Sequence, residues 1–214
     1  MRLVNALDSL GKYDAALAQV DSMIKRDSLN NGLWFAKGQL YESLKDTAGA
    51  ISSYEKAVSI YASVESQLSL ANLLAETKNK RSLAICNAVQ RVAMDKETEA
   101  HCDFIAGVYY ARIGEGAKAL SLFDRCINNN YTYMEAYMEK GFIFYDQKKH
   151  KEAIEVFDRA ITINNQYADA YYWKAKTYEA SGDKQEAITN YQRSLGLDKT
   201  LKEARVALKR LGDG

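Results

Sequence analysis

Small residues recur along this chain at a fixed interval. Gly38, Asn72, Gly107, Gly141 and Ala175 follow one another at steps of 34, 35, 34 and 34 residues. Alanines keep the same interval at Ala16, Ala50, Ala84, Ala119, Ala153 and Ala187, and each is followed by leucine or isoleucine. Four positions beyond them stand Val20, Tyr54, Ala88, Phe123, Phe157 and Tyr191, with Ala88 the one small residue of the set. A period of a few tens of residues marks a stack of supersecondary units, none of which buries its apolar face alone. That recurrence constrains the fold before any single element is assigned.

Within each period two apolar stripes have helical spacing. Trp34, Gly38 and Tyr41 stand at i, i+4 and i+7, and Ala50, Tyr54, Ala57 and Val58 share a second face. The pattern predicts two helices of about 14 residues per period. Polar turns between them fall at Gly11, at Asp46 with Gly49, at Lys78 to Lys80, at Gly114 with Gly116, at Lys148 with Lys149 and at Gly182 with Asp183. The sequence has 0 prolines, so its helices must stop on glycine, asparagine or aspartate instead. A glycine inside a helix costs about 1 kcal/mol relative to alanine, and Gly38, Gly107 and Gly141 therefore need a packing reason. A side chain there would hold the neighbouring helix away, while the bulky residue four past each alanine fills the space beside the contact.

This arrangement resembles the tetratricopeptide repeat (TPR) family over essentially the whole chain. Aromatic, small, aromatic, alanine, aromatic and alanine at fixed offsets fit best in 31–64, which contains WFAKGQLYESLKDTAGAISSYEKAV, and in 134–167. The fit is good in 168–201 and weaker in 100–133, where Asp103 takes the first aromatic position. Residues 65–98 are degenerate, with Asn72, Ala75, Ala88 and Arg91 at motif positions. The family's usual proline near the end of the second helix is replaced by Ser28, Ala62, Lys96, Tyr131, Asn165 and Lys199. The resemblance implies an all-α fold, a right-handed superhelical α-solenoid of antiparallel helix pairs, with about five to six units in a single domain over 1–214. Residues 1–30 form a partial first repeat, because the register places Met1 inside a first helix, and the chain reads as clipped with something upstream removed. Residues 201–211, LKEARVALKRL, read as a capping helix, apolar on one side and basic on the other, that ends the stack.

Charge and composition narrow the function. The formal net charge is +1, from 29 basic and 28 acidic residues. That balance gives no broad attraction for a phosphate backbone or an anionic bilayer, so nucleic acid is not an expected partner. No apolar run is long enough to span a bilayer, and direct membrane insertion is not expected. Cys86, Cys102 and Cys126 lie in apolar helical context without disulfide or metal spacing and read as buried free thiols. His101 and His150 are the two histidines; His101 and Cys102 are adjacent on a helix, where neighbours diverge by about 100°. No phosphate-binding, nucleophile-elbow or zinc-protease string is present, so no catalytic residue, cofactor or metal is expected. Free thiols and a polar N-terminus point to the cytoplasm, and a removed leader or lipoprotein anchor would point to the periplasm instead.

Stacked helix pairs line their inner side with a second stripe on the first helix of each pair, one residue on from the packing stripe. That stripe includes Phe35 and Gln39, Leu73, Phe104 and Val108, Met138, Phe142 and Tyr145, and Tyr172 and Lys176. Its aromatic and flexible apolar side chains are the types that anchor peptides, and the same residues could equally pack helix against helix between repeats. The expected function is a noncatalytic scaffold holding a peptide or helix of a protein partner. The alternative is a structural or homo-oligomerising module with no peptide ligand; single-stranded nucleic-acid binding ranks lower and an enzyme last. The family's carboxylate clamp needs lysines and asparagines on three successive first helices, whereas here Lys176 is the lone cation of the stripe. A bound peptide should then be held through apolar side chains, with modest salt sensitivity.

Overall fold

The computed structural model describes residues 2–93 and 95–212. Among them it has thirteen α-helices and no strand, as the periodicity predicts. They fall into two compact units, Met1–Ile113 and Gly114–Gly214. The first holds α1 (Arg2–Ser9), α2 (Tyr13–Arg26), α3 (Asn31–Ser43), α4 (Thr47–Ile60), α5 (Val64–Glu76), α6 (Arg81–Val92) and α7 (Lys96–Arg112). The second holds α8 (Gly116–Asn129), α9 (Met134–Asp146), α10 (His150–Ile163), α11 (Ala168–Ser181), α12 (Lys184–Leu197) and α13 (Lys202–Leu211). In each unit every helix packs on the next in sequence, and in the first α5 also packs on α7. Short turns make these neighbours antiparallel hairpins.

Without proline, helix ends are set by two devices. Asn30, Asp46, Ser63, Asp95 and Asp183 accept a backbone N–H of the following turn in their side chains, satisfying donors that a helix start leaves free. The turns within pairs are closed by a residue in the left-handed region: Gly11, Lys45, Lys78, Gly114, Lys148 and Gly182. At Lys148 its N–H donates to Tyr145 O at 2.9 Å and the Lys149 N–H to Phe144 O at 2.9 Å, the paired bonds of a Schellman motif. Lysine there accepts a backbone conformation that costs about 1 kcal/mol outside glycine.

Gly38 and Gly141 have the packing reason that their place inside a helix demands. A Cβ on Gly38 would lie 2.4 Å from Cε1 of Tyr54, and one on Gly141 would lie 2.3 Å from Cε1 of Phe157. Both rings are fully buried. Ala175 and Tyr191 repeat the arrangement within one core cluster. Ala119 and Ala153 are buried, as the stacking account requires.

Ion pairs follow the same period. Asp21 pairs with Lys37 at 2.7 Å, Asp158 with Lys174 at 2.6 Å, and Asp124 with Lys140. Each joins the second helix of one pair to the first helix of the next, with the lysine largely covered and the aspartate exposed. An exposed pair contributes about 1 kcal/mol or less, so these set alignment more than stability.

The third repeat departs from the interval that the sequence suggests. Ala84 and Ala88 are exposed, and Ser82, Cys86 and Val89 are buried in their place, two positions earlier. On the partner helix Ala71 and Ala75 are fully buried, and Ala71 is the eighth residue of its helix as Gly38, Gly141 and Ala175 are of theirs. Asn72 is half-buried, and its Oδ1 has no hydrogen-bond partner. The left-handed turn residue also comes early, since Lys78 follows Lys45 by 33 positions. With no large ring to seat, α6 rotates Cys86 and Val89 inward.

Two outcomes test this packing. Gly141→Leu should lose about 3 kcal/mol, since overpacking forces Phe157 from its site, measured by chemical denaturation followed by circular dichroism. Ala84→Glu should change stability by no more than about 0.5 kcal/mol, whereas Ala153→Glu, which buries a charge, should prevent folding.

Candidate functional site

The sequence stripe divides once its side chains are placed. In the first unit Phe35 is half-buried, its ring 5.3 Å from that of Tyr54, and Leu73 joins the same cluster. Gln39 is exposed and Phe104 half-buried. Val108 is fully buried, and Met138 in the second unit is 5% exposed. These two were expected to face a groove; both instead belong to the buried side of their helices, Met138 in one cluster with Phe157. A cleft of about 460 Å³ in the first unit is lined by Glu42, Glu65, Leu68, Ser69, Glu97 and His101, among others, and by none of the five candidates of that unit.

The second unit brings three candidates together. Tyr145 of α9 and Tyr172 and Lys176 of α11 line a cleft of about 670 Å³, to which α13 adds Lys202, Val206 and Arg210. Trp173 supports it, with ring centroids 4.4 Å from Phe142, 5.7 Å from Tyr145 and 5.9 Å from Tyr172. Phe142 is thereby held in the packing beneath the cleft and does not line it. The Lys176 ammonium lies 4.2 Å from the Trp173 ring centroid and 5.4 Å from that of Tyr145, a geometry that fixes the cation by the ring quadrupole.

Glu179 organises the polar side of the cleft. The Tyr191 hydroxyl donates to its Oε2 at 2.8 Å, and Arg210 of α13 donates to its Oε1 at 2.5 Å. Burial first, then the bond to Glu179, pushes the Tyr191 phenol well above its ordinary range; burial raises Tyr145 and Tyr172 as well. The three phenols therefore stay neutral and can donate hydrogen bonds. The first unit repeats the motif where Tyr54 donates to Glu42, and the phenol of Tyr54 is likewise raised, chiefly by burial.

Lys176 is not the lone cation of this site, because α13 contributes Lys202 and Arg210. Sequence reading also passed over Trp173, which follows Tyr172 in a run of aromatic residues, and treated α13 as a cap alone. Its basic face was the available signal. Among the described residues no three histidine, cysteine, aspartate or glutamate side chains gather as a metal site. No described helix is long and apolar enough to cross a membrane.

Tetratricopeptide repeat profiles match residues 1–65 and 168–201, and a TPR repeat profile matches 141–182. The chain belongs to the tetratricopeptide repeat family. No curated protein matches the TPR chain by sequence. Among solved structures, a tetratricopeptide repeat protein from Parabacteroides merdae is similar with a TM-score of 0.83 and 15% identity, covering 99% of this chain and 82% of its own. PilW, a type IV pilus biogenesis factor, has a TM-score of 0.77 and 19% identity, covering 97% and 96%. YrrB, a TPR protein with an unusual peptide-binding site, has a TM-score of 0.55 and 17% identity, covering 89% and 97%. At these identities the likeness establishes the fold.

Removing the hydroxyl that Glu179 accepts tests the polar network of the TPR cleft. Tyr191→Phe should cost about 1.5 kcal/mol, the value of a hydrogen bond to a charged group, read as a shift in the denaturation midpoint.

Proposed function

We propose that this TPR chain is a noncatalytic scaffold that holds a short segment of a protein partner in the cleft formed by α9, α11 and α13. The observation that carries this reading is the convergence of Tyr145, Tyr172 and Lys176 with Val206 around one open cleft. Val206 is 63% exposed, so the cleft presents an apolar wall to solvent beside neutral phenols. Aromatic anchors beside an exposed apolar residue suit a peptide side chain that is apolar at its tip. The internal packing of Phe35, Leu73, Met138 and Phe142 favours the structural alternative for the rest of the stripe and confines the ligand reading to this cleft. The fold supports an interaction scaffold, and the peptide-binding site of YrrB shows that a protein of the same architecture can carry one. Arg210 pairs with Glu179, and the lining as a whole sets Lys176, Lys202 and Arg210 against Glu179 and Glu203, so binding should depend modestly on salt.

A peptide display selection against the folded protein tests the proposal. Enriched peptides should share one or two apolar anchors and should lose at least about tenfold in affinity, 1.4 kcal/mol, to the Tyr145→Ala, Tyr172→Ala variant, while Gln39→Ala leaves them unchanged. Failure to enrich any peptide, or binding indifferent to both tyrosines, would remove the cleft as a docking site.

A further inference from the structure

The rotation of α6 places one cysteine against another. Cys86 takes the inward position filled in other repeats by Val20, Tyr54, Phe123, Phe157 or Tyr191 and is 3% exposed, and Cys102 of α7 is 1% exposed. The Cys102 thiol donates to the Cys86 carbonyl at 3.7 Å, which sets the Cys102 sulfur against Cys86. Had α6 kept the alanine interval, Ala84 and Ala88 would face inward and no such pair would exist. Both cysteines are free, and the chain has Cys126, buried in the other unit, as an internal control.

We propose that Cys86 and Cys102 form a redox latch, which a two-electron peroxide oxidant closes as a disulfide joining α6 to α7. The interaction between the two sulfurs, then burial, push Cys86 up, while the same interaction holds Cys102 down against the opposing effect of burial, so Cys102 is the sulfur that ionises first. Its thiolate attacks a peroxide oxygen, the O–O bond breaks, and Cys102 becomes a sulfenic acid as water leaves. The Cys86 sulfur then attacks the Cys102 sulfur and displaces the hydroxyl as a second water. Two thiols and one hydrogen peroxide thus give one disulfide and two waters. Burial makes the first step slow, because peroxide reaches the pair through local opening of α6. The closed bridge spans 16 positions and limits separation of the third helix pair from α7, raising the unfolding temperature by removing freedom from the unfolded chain.

The test treats the folded, full chain with hydrogen peroxide and follows intact mass, non-reducing peptide maps and melting temperature. The expected result is loss of two hydrogens, one linked peptide pair containing Cys86 and Cys102, and a melting temperature several degrees higher that dithiothreitol reverses. Cys126→Ser should leave all three unchanged, and Cys86→Ser should stop Cys102 at a sulfenic acid that dimedone captures. Linkage to Cys126 or between chains, oxygen added to either cysteine without a link, or no reaction before unfolding would each overturn the proposal. If Cys86→Ser does not fold, the peptide map of the unsubstituted chain still decides between these outcomes.

Discussion

The contact between a missing side chain on one helix and a buried ring on the next is what the pairs α3–α4 and α9–α10 depend on. At Gly38 and Gly141 any Cβ would overlap the ring of Tyr54 or Phe157, so the distance between paired helices is set by glycine and the space is filled by the aromatic residue. The helix-propensity cost of glycine, about 1 kcal/mol, is offset by burying a whole aromatic side chain, worth about 2–3 kcal/mol. Ala175 with Tyr191 relaxes the same geometry by one methyl group without losing the burial of the ring.

Variation among the repeats follows from what else each ring can reach. Tyrosine occurs at the bulky position where a glutamate stands four residues past the small one, as Tyr54 with Glu42 and Tyr191 with Glu179. Phenylalanine occurs at 157, where that place is Tyr145. The buried hydroxyl thus has a partner wherever it is present, as buried polar groups require. In the second unit this satisfaction has a consequence for binding. Glu179, fixed by Tyr191, reaches Arg210 and ties α13 to α11, and the cleft around Tyr145 and Tyr172 exists because α13 is held there.

The period, the helix pairs and most turns were legible in the sequence because each depends on residue size or backbone freedom at one position. The Ala84 interval misled because serine at 82 and cysteine at 86 can occupy buried sites that size patterns assign to alanine and an aromatic residue. Lys45 was missed as the left-handed turn residue for a related reason: Asp46 and Gly49 look like the turn, but Asp46 caps the next helix by accepting the Gly49 N–H. The cleft was partly legible. Tyr145, Tyr172 and Lys176 lie on one helical stripe, but Val108 and Met138 share that stripe and are buried, since a one-residue step from the packing face does not decide how deep a side chain lies. Lys202 and Arg210 join the site only through contacts of α13 with α11, and the 31 positions between Glu179 and Arg210 leave no periodic trace.

Nuclear Overhauser contacts between the glycine Hα protons and the aromatic rings measure the central contact directly. The account predicts strong cross-peaks from Gly38 to the Tyr54 ring and from Gly141 to the Phe157 ring, with the Hα resonances displaced by the ring currents. Hα shifts at ordinary helical values with no cross-peak to either ring would contradict it, because the paired helices would then be spaced by something other than the absent side chain.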